Sequence, residues 1–418
     1  MRYRAVVTMA IGAAVVASIA GCSNDTGGGG GETLTWATVT SDKTAAKEAA
    51  AAFEAETGIS VEVTASGVDE YQTTTRTQLS SGTAPDVFFV WAGDGNPMAM
   101  QVVSDAGLVA DLSDMDFTSR IPEGFKSVSQ NGGKTYTAPI ISAGIGSAFN
   151  LTAMEENGWS IPTTWSDTLA FCAEAKAAGK TAFALAGATP WNTQLISYAL
   201  APTLVYGPDP DFAAQMSAGD VTFADSAWVD VFDKYLAMQD AGCFQDDALG
   251  TVYEDALDMV AKGEAMASVQ VNASLAAIRQ GAAEDTEFTL APLPATDDES
   301  QTRMAAAMGA AYGINAKAKN PEGAKKLIEF LTSDEGQSVY NTPIAAIPAL
   351  GSSTFEPDPA LDSLLEYLES GKTDPFMDQL WPNAKVQQVH FEVVQQLLAG
   401  DVDAKGALSQ MDAAYAEG

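Results

Sequence analysis

Residues 33–91 read TLTWATVTSDKTAAKEAAAAFEAETGISVEVTASGVDEYQTTTRTQLSSGTAPDVFFVW, and this stretch decides the fold. Thr33-Leu34-Thr35-Trp36-Ala37 alternates polar and apolar residues, the period of a strand with one buried face. Ser41-Asp42 offers a helix N-cap. Ala45, Ala46, Ala49, Ala50 and Phe53 then recur at helical spacing until Gly58 stops the run. Ile59–Val63 (ISVEV) alternates again, Tyr71–Leu79 has a helical pattern, and Asp86–Trp91 (DVFFVW) is a continuous apolar run. Such a run belongs to a strand covered on both faces of a parallel sheet. Strand, helix, strand, helix, strand predicts a doubly wound α/β sheet. Ligands of such sheets sit off the carboxyl ends of the strands, which points at the loops after Trp36 and Trp91.

The pattern returns downstream. Thr164 can cap a helix that carries Trp165, Leu169 and Cys172 on one face and stops at Gly179, and Thr181–Leu185 (TAFAL) follows as a strand. Asn320-Pro321-Glu322 gives a helix its cap, its N1 proline and its first-turn acid. Ala324, Leu327, Ile328 and Leu331 supply the apolar stripe.

A length of 418 residues suggests two or three domains, and 46 % hydrophobic against 18 % charged residues is an ordinary globular mixture. With 55 acidic and 21 basic residues the formal charge is −34. That excess argues against nucleic acid and anionic lipid as partners, because both demand a basic surface. One histidine, His390, and three cysteines leave little for a metal site, so neither metal nor cofactor is expected. No serine elbow, metal motif or phosphate loop stands out.

Residues 1–21 read as a leader: Arg2 and Arg4 precede an apolar Ala5–Ala20, too short to span a bilayer comfortably. The sequence Ile19-Ala20-Gly21-Cys22 resembles a bacterial lipobox, in which the cysteine thiol is acylated and the chain is cut just before it. Ser23–Gly31 (SNDTGGGGG) has nothing to bury, so residues 22–31 read as a flexible tether. The mature protein is thus expected outside the cytoplasm, held to the cell membrane by a lipidated Cys22. Loss of the leader arginines moves the charge from −34 to −36, which serves solubility.

The order of segments resembles the bacterial extracellular solute-binding proteins of the maltose-binding type, which serve ATP-binding-cassette (ABC) importers. The resemblance is carried by Phe53–Val63, Ser81–Phe89 (SGTAPDVFF), Ala106–Leu112 (AGLVADL), Lys134–Ile140 (KTYTAPI), Ile161–Leu169 (IPTTWSDTL), Lys262–Met266 (KGEAM), Tyr312–Ala318 (YGINAKA) and Asn320–Gly336. It implies a periplasmic-binding-protein-like fold: two doubly wound α/β lobes joined by a multi-crossing hinge, closing on a ligand. Crossings are expected near Ile140–Asn150, Ala267–Asn272 and Tyr312–Ala316. Lobe one then comprises 32–141 plus 270–313, and lobe two 142–269 plus 314–418. The implied function is capture of a sugar or oligosaccharide by a monomer that delivers it to membrane permease subunits.

Sugar sites pair flat aromatic rings with directed polar groups. Trp91-Ala92-Gly93-Asp94 is similar to a family stretch in which the Trp packs on sugar and the Asp accepts hydroxyl hydrogen bonds. Trp36, at the end of the first strand, is either a second platform or a core residue. Ser41 and Asp42 lie where family members contact ligand from the first helix, or simply cap it. Trp191 and Asn192, after the TAFAL strand, match a stacking aromatic of the opposite wall, and Ser142, Gln270, Asn272 and Trp381 complete the expected ligand set. Relatives commonly carry a Trp near Asn272; an amide there exchanges stacking for hydrogen bonding and removes the basis for assigning a maltodextrin.

Only four arginines lie outside the leader, Arg76, Arg120, Arg279 and Arg303, which favours a neutral ligand over an anion. The alternatives are a peptide or polyamine ligand, or a secreted carbohydrate-active enzyme using two carboxylates. Cys172 and Cys243 are expected either to be bridged, as an oxidising compartment promotes, or to be two buried thiols.

Overall fold

The strand–helix alternation of residues 33–91 forms as read. The computed structural model describes residues 33–417 except 345, with all side chains but those of 123, 124 and 127. The expected leader (1–21), the tether (22–31) and Cys22 lie outside the described residues. In chain order the strands are β1 (Leu34–Val39), β2 (Val61–Ser66), β3 (Val87–Val90), β4 (Gln130–Asn131), β5 (Lys134–Thr135), β6 (Ala138–Pro139) and β7 (Ile141–Asn150). They continue with β8 (Thr181–Phe183), β9 (Ala265–Val271), β10 (Phe288–Ala291), β11 (Met304–Met308), β12 (Ala311–Ile314), β13 (Ile347–Pro348) and β14 (Thr373–Asp374).

A first sheet runs β2-β1-β3-β12-β6, with β1 parallel to β2 and β3, and β12 antiparallel to its neighbours. The helix Lys43–Thr57 ends at Gly58, whose φ of 72° is the left-handed cap that glycine reaches without strain. Asp42 sits at its N-cap position but its side chain does not cap. The capping role expected of Ser41-Asp42 is therefore not taken, because the carboxylate is used elsewhere.

The second sheet runs β14-β11-β7-β9-β8, and β10 and β13 also pair with β7. All ten residues of β7 are buried, since it has partners along its length. Thr164 caps the helix Trp165–Ala177 through its hydroxyl (Asp167 N to Oγ1, 3.1 Å), and Asn320 caps Pro321–Leu331 (Gly323 N to Oδ1, 2.9 Å). Both starts are where the sequence placed them.

The segments are shared out differently from the expected boundaries. Residues 288–308, expected with lobe one, form ladders to β7 in the second sheet. Helices Pro321–Leu331 and Asp334–Asn341, expected with lobe two, join the first core with Trp36, Phe53 and Tyr71. Ala267–Asn272 is no crossing: β9 pairs with β7 and β8 within the second sheet.

The chain passes between the sheets at Ile140, at Gly309-Ala310 and around Ala349, and these passes are bonded to one another. Ile140 N donates to Ala310 O (3.0 Å), Ala349 N to Ile140 O (3.1 Å) and Gly309 N to Ile141 O (2.8 Å). A Cβ on Gly309 would stand 2.7 Å from that of Ala143, so this close approach requires glycine. The result is a mixed α/β molecule of two lobes on a hinge of adjacent extended segments.

Cys172 and Cys243 are bridged, joining helix Trp165–Ala177 to the turn after helix Trp228–Asp240 over a separation of 71 residues. Closing a loop of this length stabilises the fold by about 4 kcal/mol in the chain-entropy account. Among the described residues no helix is long and apolar enough to cross a membrane.

Candidate functional site

At the carboxyl end of β1 the first lobe gathers hydroxyls around a carboxylate. Tyr340 donates to Asp42 Oδ2 (2.8 Å) and Ser41 to Asp42 Oδ1 (2.8 Å). Tyr340 and Tyr312 share a hydrogen bond of 2.7 Å, as do Tyr312 and Thr38. Each hydroxyl has one proton, so with Tyr340 donating to Asp42 the chain runs Thr38 to Tyr312 to Tyr340 to Asp42. Burial raises the Asp42 pKa, an effect these hydrogen bonds oppose. Ser41 is exposed and marks the mouth of the chain. Trp36 lies behind it, fully buried, edge-on to Tyr312 at 4.9 Å. Its position on β1 turns it into the core with Leu34 and Thr38, so it is not a platform for ligand.

After β3 the loop 91–96 folds back on itself. Trp91 is half-buried, leaning on Phe89 (4.5 Å) and Tyr71 (5.7 Å). Tyr71 is packing, its hydroxyl bonded to Phe89 O (2.9 Å). Asp94 is half-buried, and burial followed by the charge of Asp105 raises its pKa. The same loop touches the other lobe: a Cβ on Gly95 would fall 2.0 Å from Asp378 O, so the two backbones meet directly.

The second lobe contributes a wall from the first turns of helices Pro190–Ala201, Tyr253–Ala261 and Ser274–Gly281. Trp191 and Tyr253, both half-buried, have ring centroids 4.9 Å apart, and the Tyr253 hydroxyl donates to Ser274 Oγ (2.8 Å). Behind them Asn192 Nδ2 donates to Gln270 Oε1 (3.0 Å) and Gln270 Nε2 to Ser268 Oγ (2.9 Å). Asn192 and Gln270 are buried and satisfied by the protein, so they set the wall's geometry from beneath. Trp381 is also buried, but among Tyr198, Phe223, Trp228 and His390 in the second core, away from this wall. It is a core residue, since its neighbours enclose it on several sides.

The two polar groups flank the hinge. Tyr340 is followed by Asn341, whose amide donates to Ile140 O (3.0 Å), and Ser142 lies two residues beyond in β7, opposite Met308 and Ile347. Gly144 N then donates to Asn272 Oδ1 (2.9 Å), and Asn272 is two residues from Ser274. Asn272 thus holds β7 to the end of β9. Helix Ser274–Gly281 in turn packs on the turn Thr342–Ile344.

None of the four arginines belongs to either group. Arg76 bonds Pro97 O, Arg120 bonds Thr332 O, and Arg279 and Arg303 pair with Asp358 and Asp374. Among the described residues no group of three or more His, Cys, Asp or Glu side chains is arranged to hold a metal. Tyr253, Ser274, Tyr312 and Tyr340 were not singled out from the sequence. Tyr253 could have been, because Gly250–Tyr253 repeats the pattern of Gly187–Trp191, an aromatic in the first helical turn after a glycine loop.

Residues 48–363 match the family model described as bacterial extracellular solute-binding protein. The chain belongs to that family. The family is one of binding proteins rather than enzymes, and its description places it outside the cytoplasm. The multiple sugar-binding protein of Streptococcus mutans is 24 % identical over 289 residues, 67 % of this chain and 66 % of its own length. The diacetylchitobiose-binding protein NgcE of Streptomyces coelicolor is 24 % identical over 63 % of this chain and 57 % of its own length. This solute-binding protein thus spans somewhat under two thirds of either relative. The solved structure of RafE in complex with raffinose superimposes with a TM-score of 0.76 at 20 % identity, covering 92 % of this chain and 98 % of that one. That agreement establishes the two-lobed fold.

Proposed function

We propose that the protein captures a neutral sugar or oligosaccharide between its lobes and delivers it to the permease subunits of an ABC importer. The observation that carries this reading is the second-lobe wall. An open aromatic pair, Trp191 on Tyr253, stands over an amide–hydroxyl network, with no guanidinium among its residues. Sugar rings offer C–H faces to such rings and hydroxyls to such rims, whereas carboxylates and phosphates select arginine. Ser41, Asp42, Trp91 and Asp94 contribute from the first lobe, and Ser142 lies on the hinge side, where the buried Asn272 braces β7 from beneath. The relatives support the same ligand class, being named for multiple sugars and diacetylchitobiose. A polyamine would require carboxylates clustered about the aromatic pair, and Trp191 and Tyr253 stand over amides and hydroxyls instead.

Closure follows differential affinity: ligand touching both lobes stabilises the closed arrangement and shifts the population towards it. The protein acts as a monomer and performs no turnover. The leader 1–21 is removed and Cys22 is lipidated, which with two or more acyl chains gives a stable tether to the membrane through 22–31. Calorimetry against a panel of mono- and oligosaccharides tests the reading. Saturable binding of a neutral sugar is expected; binding confined to peptides or polyamines overturns it. Release of reducing ends from an oligosaccharide would instead identify an enzyme.

A further inference from the structure

The loop that leads into Tyr253 is bonded to the loop that precedes Trp191 and carries exposed aliphatic side chains. Among the described residues two large hydrophobic side chains stand exposed, Leu249 and Val252, each 40 % accessible. Single exposed aliphatics are ordinary, but these two lie three residues apart in one loop, at the foot of the helix that begins with Tyr253. Val252 immediately precedes Tyr253, and the loop holding both is stitched to the loop that precedes Trp191. Gly187 N donates to Ala248 O (2.8 Å), Ala188 N to Thr251 O (3.0 Å) and Tyr253 N to Thr189 Oγ1 (2.9 Å). Gln245 bonds both the N–H and the carbonyl of Leu185, and its amide also donates to Thr251 Oγ1 (2.9 Å).

A pinned backbone matters here. An aliphatic side chain on a loose loop can fold inward to escape water, whereas this loop is held with Leu249 and Val252 outward. The exposure is therefore built in, and it costs the free protein apolar hydration that a ligand can relieve. Asp246 and Asp247 are exposed in the same loop and offer acceptors for hydroxyls. An aliphatic floor with a carboxylate rim suits a pyranose ring and repels an anionic one.

We infer that Leu249 and Val252 form the floor of a second sugar subsite, one ring beyond Trp191–Tyr253, so that the ligand is an oligosaccharide of at least two rings. The inference rests on the sugar reading of the same wall.

Isothermal titration of the soluble domain tests it, using xylose, xylobiose and xylotriose; N-acetylglucosamine and diacetylchitobiose; and galactose, melibiose and raffinose. In the series that binds, the longer member is expected to bind more tightly than its monosaccharide. Leu249→Ser combined with Val252→Ser should weaken the longer ligand about tenfold, the equivalent of about 60 Å² of apolar burial. The monosaccharide should change less than twofold. Both positions are exposed, and an unchanged melting temperature confirms that the variant is folded. Equal loss for short and long sugars, or no loss for either, overturns the subsite and leaves the sugar reading standing. A preference for the monosaccharide does the same. Failure of every neutral sugar overturns the underlying reading and this inference with it.

Discussion

In the first lobe Trp36, Tyr312 and Tyr340 surround a run of bonded oxygens that leads from Thr38 to the exposed Ser41. In the second, Trp381, Trp228, Tyr198 and Phe232 enclose His390, whose two ring nitrogens find no partner among the described residues. Both clusters are aromatic and both are buried. The first delivers a polar group to the protein's edge; the second seals one away. Neither resembles the half-open pair Trp191–Tyr253, and the contrast separates aromatics that hold the lobes together from aromatics that can meet a ligand. Exposure and the direction of hydrogen bonds make that distinction, and residue type does not.

Substituting one tryptophan of each kind should break the molecule in different ways. Trp36→Ala removes a fully buried indole and is expected to cost about 3–5 kcal/mol of stability, read as a lower denaturant midpoint. Trp191→Ala is expected to weaken sugar binding about 30-fold, roughly 2 kcal/mol, with the denaturant midpoint nearly unchanged. If Trp36→Ala instead leaves stability intact and abolishes binding, the separation of the two sets is wrong. Smaller again is Tyr340→Phe. It leaves Asp42 Oδ2 without its donor and Tyr312 without its acceptor, a loss of about 1–2 kcal/mol in chemical denaturation. Because the Tyr340 bond opposes the upward push of burial, the Asp42 pKa should also rise further in this variant.

The parts legible in the sequence are those settled by neighbours in the chain. Gly58 ends its helix, and Thr164 and Asn320 cap theirs, because a cap is a bond across three or four residues. Register and lobe membership come from partners far away. Met304–Met308 (MAAAM) has no alternation to say which sheet it joins, and only its ladder to β7 settles the matter. Whether Trp36 faces core or cleft turns on strand parity, where a shift of one residue reverses the answer. Tyr340 reaches Asp42 across 298 residues, so no local pattern could have announced it. Trp191 is singled out by the strand and glycine loop before it and by its match to a family stretch. Those signals put it in a loop, whereas it lies in the first turn of helix Pro190–Ala201.

His390 offers the finest test of the sealed cluster, because it is the chain's single histidine. Burial between Tyr198 and Phe232 holds its pKa down to about 3, against an ordinary value of 6.5. As pH falls below 6.5 the unfolded chain therefore takes up a proton that the folded chain refuses until about pH 3. The unfolded state binds more protons, so this group's contribution to stability is present above pH 6.5 and is lost on acidification. The limiting slope is about 1.4 kcal/mol per pH unit. Asp378 opposes it. Burial raises that carboxyl to about 6, so its folded form holds the extra proton between its ordinary 3.8 and 6, and stability from it is lost as pH rises. The wild-type curve sums both effects, and only a difference isolates the imidazole. His390→Phe fills a similar space with nothing to titrate, and subtracting its stability from wild type between pH 7 and 4 should leave a slope of about 1 kcal/mol per pH unit. A flat difference would mean that the imidazole is protonated or solvated within the fold. The sealed cluster would then conduct a polar group to water just as the first lobe's does.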